Sequence, residues 1–106
     1  MCFKRKPRPT NDAKVLENAE VINANVKALR GVLVQLEGNA DVYAKLSALC
    51  EKYKYASPSE AAAYLDNRIR GRINDMKTAA EAALKSNDFA PVEDLIIKIR
   101  ALVEER

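Results

Sequence analysis

The run DAKVLENAEVINANVKALRGVLVQLEGN, residues 12–39, decides the fold class. Within it Val15, Ala19, Ile22, Val26, Leu29, Leu33 and Leu36 recur at alternating steps of four and three. That rhythm lines apolar side chains along one side of a coil with 3.6 residues per turn. The spacing predicts a helix of about 26 residues, roughly 39 Å long at 1.5 Å per residue. Thr10, Asn11 and Asp12 offer capping oxygens at its start, and Gly38 with Asn39 supplies its stop.

The same run carries a second stripe, Val21, Ala24, Ala28 and Gly31, well around the helix from the first. A solvent-facing stripe would favour Glu, Lys or Gln, and Gly31 costs about 1 kcal/mol relative to alanine inside a helix. Small side chains on a second face therefore point to close packing. Another helix of the same chain, a second molecule, or a bend at the glycine each accounts for them.

Working outward, the spacing predicts a shorter helix over 41–54, with Val42, Leu46, Leu49 and Tyr53 inward. Cys50 lies on its apolar side and reads as a reduced core thiol. Ser57-Pro58-Ser59-Glu60 has the form of a capping box and predicts a helix from Pro58 to about Lys85. This helix presents Ala62, Leu65, Ile69, Ile73, Met76, Ala80 and Leu84, with Asp66–Arg70 and Glu81–Lys85 as pairs one turn apart. Ser86-Asn87-Asp88 breaks the run. A last helix follows, with Pro91 tolerated in its first turn and Leu95, Ile96, Ile99, Leu102 and Val103 inward. The expected fold class is all-α, a small antiparallel bundle of four helices in long-short-long-short order. The two halves, 12–55 and 58–106, repeat that order without aligning residue by residue.

The chain has 106 residues, 48% hydrophobic and 31% charged, enough for one core without metal or disulfide support. Residues 1–10 are expected to be a flexible basic arm and 11–106 a single helical domain. The formal charge of +3 comes from the arm. Lys4, Arg5, Lys6 and Arg8 give it +4, leaving a nearly neutral body of 14 basic and 15 acidic residues. There is no histidine, which excludes Ser-His and Cys-His couples and imidazole metal sites. Three glycines, at 31, 38 and 71, make no phosphate-cradling loop. Cys2 and Cys50 match no metal-binding spacing. The carboxylate pairs Glu93-Asp94 and Glu104-Glu105 read as a helix-start charge and a solvated terminus rather than an acid–base couple. The serines lack a base partner. No catalytic residue, cofactor or metal site is assigned.

No apolar stretch fits a signal peptide or a membrane span, so a cytoplasmic protein is expected. The leading expectation for function is a non-enzymatic interaction or self-association module that meets a protein partner or its own copy through Val21, Ala24, Ala28 and Gly31, as a homo-oligomer. The alternative is an accessory protein that contacts phosphates of nucleic acid, or an anionic membrane surface, through Lys4, Arg5, Lys6 and Arg8, joined by Arg68 and Arg72. Four arm contacts would give a salt slope of about −3.6 on duplex DNA, a weak grip near physiological salt. Tyr43, Tyr53, Tyr55 and Tyr64 gather around the middle of the chain and read as amphipathic packing rather than base-stacking platforms.

Overall fold

A computed structural model describes residues 9–106, with residues 9–12 described by backbone alone. Its elements are α1 (Pro9–Gln35), α2 (Ala40–Lys54), α3 (Ala63–Ser86) and α4 (Ala90–Glu105). The all-α class and the long-short-long-short order are as the spacing predicts. The arm residues Lys4, Arg5, Lys6 and Arg8, and Cys2, lie outside the described residues.

Helix boundaries follow local chemistry, with two departures from the expectation. The first helix begins at Pro9 rather than near Asp12, since a proline in the first turn has no amide that needs a partner there. The third begins at Ala63 rather than Pro58, because the 57–60 segment is used otherwise. The Ser59 amide donates to Asn18 Oδ1 (2.8 Å), the Ser59 hydroxyl accepts from the Ala62 amide (3.0 Å), and Glu60 reaches Lys14 (3.3 Å). The capping box thus becomes a turn held against α1. At two other ends the cap matches its residue type. Asn39 caps α2, its Oδ1 accepting from the Val42 amide at 3.1 Å. Asn87 ends α3 in the left-handed region at φ 61°, where asparagine is the most tolerant residue after glycine.

Consecutive helices form antiparallel hairpins, α1 with α2 and α3 with α4, and the hairpins stack so that long lies beside long and short beside short. The backbones of the diagonal pairs α1/α4 and α2/α3 do not come close. Lys14 meets Glu60 near one end of the α1/α3 seam, while Ala28 and Gly31 sit beside Lys77 and Glu81 further along. The two long helices therefore run parallel. So do the short ones, with Lys45 on Glu93 and Lys52 beside Glu104.

The shared core takes Leu29, Leu36, Leu46, Tyr53, Ile69, Met76 and Ile99 out of water entirely. Each such aliphatic side chain contributes about 1.5–3 kcal/mol by burial. Helix α4 buries Leu95, Ile96, Ile99, Leu102 and Val103 as expected, with Val92 added. On α1 the buried stripe is turned toward Asn18, Asn25 and Val32, leaving Ala19 and Leu33 half-buried at its edge and Val15 exposed. The cause is that α3 packs beside α1, so the stripe must face two helices at once. On α3, Ala83 is inside and Leu84 outside.

Candidate functional site

Four of the five polar groups that gather at one end of the bundle are fully buried. Asp66 is 0% exposed, Asn18 and Asn25 each 2%, and Tyr53 0%. Asp66 is the centre. Its Oδ2 accepts from Asn18 Nδ2 (2.7 Å) and Arg106 Nη2 (2.9 Å), and its Oδ1 accepts from the Tyr53 hydroxyl (2.8 Å) and Arg106 Nε (2.9 Å). All four lone-pair directions of the carboxylate are filled. Asn25 Nδ2 donates to both the Tyr53 hydroxyl and the Asp66 carbonyl, each at 3.0 Å. Arg106 Nη2 also donates to the Ser57 carbonyl at 3.0 Å. Residues from α1, α2 and the chain just beyond α4 thus meet on one carboxylate of α3, and Arg106 ties the inter-hairpin segment to it.

Burial, with a further push from the Asp66 carboxylate, holds the Tyr53 phenol well above its ordinary range. The bidentate guanidinium occupies one acceptor position on each carboxylate oxygen of Asp66. Desolvation likewise raises the Cys50 thiol, which keeps it an unreactive core group. Among the described residues no cluster of three or more acidic or thiol groups is placed to hold a metal ion. No helix among them is long and apolar enough to cross a membrane.

The sequence stripe leads to a different place, an open groove of about 690 Å³ between α1 and α3. Val21, Ala24 and Ala28 lie along its α1 side, and Asn25 forms part of its lining. Gly31 continues the line into an adjoining depression with Val32, Gln35, Lys77 and Glu81. Val21 and Ala28 are half-buried, and Ala24 and Gly31 exposed. A methyl group added at Gly31 would meet nothing within 4 Å, so packing inside the chain does not require glycine there.

The groove's two rims differ in sign. The α1 rim carries Glu17 and Glu20, the α3 rim Arg70 and Lys77. None of the four forms an ion pair among the described residues. Asn25, although deeply buried, has no hydrogen-bond partner for its Oδ1 among them either. On the opposite side of the molecule, α2 and α4 enclose a smaller groove of about 430 Å³ with Ala44, Ala48, Ile96 and the exposed Ile97. There Lys45 is already tied to both Asp41 and Glu93, contacts that raise its pKa above the ordinary lysine value.

The arginines separate. Arg72 faces Asp75 at 3.8 Å, as expected for a salt-bridged helix face. Arg68 is exposed and forms no ion pair among the described residues, and Arg70 lines the groove. The expected Asp66–Arg70 pair is not made, because Asp66 points into the core toward Arg106. Nor is the expected Glu81–Lys85 pair among the ion pairs formed. The tyrosines scatter: Tyr53 is core, Tyr55 lies under Lys54 at 5.0 Å from its ring centre, and Tyr64 borders the α1/α3 seam.

Sequence reasoning missed Asn18, Asn25 and Arg106. A usable signal existed in Asn18 and Asn25, two asparagines seven residues apart beside an apolar stripe. Arg106 carried none. Comparison with protein-family models, curated proteins and solved structures finds no match to this chain.

Proposed function

We propose that the protein is a non-enzymatic interaction module that receives a protein surface in the α1/α3 groove. The observation that carries this reading is the line of exposed Ala24 and half-buried Val21 and Ala28 along an open groove whose rim charges form no ion pairs among the described residues. Small side chains let another backbone approach closely, and charges of both signs at the edge set its orientation. The Asp66 knot supports the same reading, because it fixes α1 beside α3 before anything binds and so lowers the ordering cost of association. Rims of opposite sign disfavour a nucleic-acid backbone, which would be repelled by Glu17 and Glu20.

The test is site-specific photo-crosslinking in the producing cell, with a photoreactive residue at Ala24 or, as control, at the exposed Ala101 on α4. Discrete protein adducts from position 24, absent from position 101, are expected. Equal or no labelling from the two sites would reject the groove as the contact face.

A further inference from the structure

We infer that the outward face of α1 binds a second copy of the chain, α1 against α1 and antiparallel, about a two-fold axis perpendicular to the helix and level with Asn25. Leu16, Glu20, Asn23, Lys27, Arg30 and Val34 are all exposed, and they recur at alternating steps of four and three, the spacing of a coiled-coil seam. Leu16 and Val34, 66% and 64% exposed, close its two ends roughly 27 Å apart, each a large apolar side chain left in water. Of the six, only Glu20 also lines the α1/α3 groove, which makes the seam a second surface.

The order of residues along the seam selects the occupant. Leu16 and Val34, Glu20 and Arg30, and Asn23 and Lys27 each lie equally far on either side of Asn25. A perpendicular axis reverses height along the helix, so every one of the six meets the other member of its pair. Apolar side chain then faces apolar, acid faces base and amide faces ammonium, twice over. A parallel arrangement would set Glu20 on Glu20 and Arg30 on Arg30 instead. Glu20, Lys27 and Arg30 form no ion pair among the described residues, so none has to give up an internal partner to make this contact.

The deciding experiment is sedimentation of the full chain under reducing conditions up to about 100 µM, where even a contact of about 10 µM is mostly dimeric. A dimer is expected. Glu20→Lys and, separately, Arg30→Glu should each weaken self-association at least about tenfold, since like charges then face each other twice. An equimolar mixture of the two variants should recover a dimer containing one of each, because both reversed charges then find an opposite. One chain carrying both substitutions should dimerise like the wild type. Both positions are exposed, and circular dichroism verifies that the variants keep their helices. A wild-type chain that stays monomeric, single variants that self-associate as tightly as the wild type, or a mixture that fails to pair would each overturn the inference. Seam and groove fail separately, since sedimentation reads the first and adducts of Ala24 with a different protein read the second.

Discussion

The two ends of the bundle are held together by different physics. At the end where the hairpins turn, Leu36, Val42, Ala83 and Val92 are buried without a polar group among them. At the end where the chain crosses between hairpins, Asn18, Asn25, Tyr53, Asp66 and Arg106 form one hydrogen-bonded knot. Apolar contact is non-directional and tolerates sliding, whereas a carboxylate with four donors accepts one geometry. The turn end therefore supplies cohesion, and the crossing end sets which helix lies beside which and in what register.

The contrast can be broken most forcefully at Arg106. Arg106→Ala leaves the Asp66 carboxylate buried without its counter-charge and should lower stability by about 3–5 kcal/mol. Denaturant unfolding measures the loss, and amide exchange should rise first at the crossing end while the turn end stays protected. At the turn end, Leu36→Ala should cost about 3 kcal/mol, within the usual span for a buried leucine, but with no change in how stability depends on pH.

Tyr53→Phe sharpens the comparison. It removes a donor to Asp66 and an acceptor for Asn25, and should cost about 1–3 kcal/mol at neutral pH. The phenol also predicts an alkaline signature. Its folded pKa is raised, so its contribution is fully present below the unfolded value of about 10 and is lost as pH climbs above that. Urea titrations between neutral and strongly alkaline pH should show a steeper decline for the wild type than for the phenylalanine variant.

Smaller effects are expected where neither end is involved. Gly71→Ala, in the exposed interior of α3 with open space around the added methyl, should stabilise by about 0.4–1 kcal/mol in thermal unfolding. Gly31→Ala, with the same open space on α1, should match it. Arg72→Ala, at an exposed pair 3.8 Å apart, should shift stability by no more than about 0.5 kcal/mol.

Much of this was legible beforehand, and the failures are informative. The helix breaks at Asn39 and Asn87 follow from residues that favour caps and left-handed backbone. The stripe of Val21, Ala24 and Ala28 announced a second face on α1. The expected pairing of Asp66 with Arg70 failed because spacing along a helix says which side chains are within reach of each other, not whether one of them is buried. Ser57 and Pro58 have the look of a helix start because that signal is local, while the bond that competes with it runs from the Ser59 amide to Asn18 Oδ1, 41 residues away.

What the sequence alone determined is the set of helices and, within about one residue, the apolar side of each, since periodicity is written in neighbours three and four apart. Only the tertiary structure decided that the hairpins stack with long beside long, that a carboxylate belongs at their junction, and that the small-residue stripe stays open along a groove with oppositely charged rims. The reason is that a repeat records a face without recording what covers it, and the groups that settle the matter lie about half the chain apart.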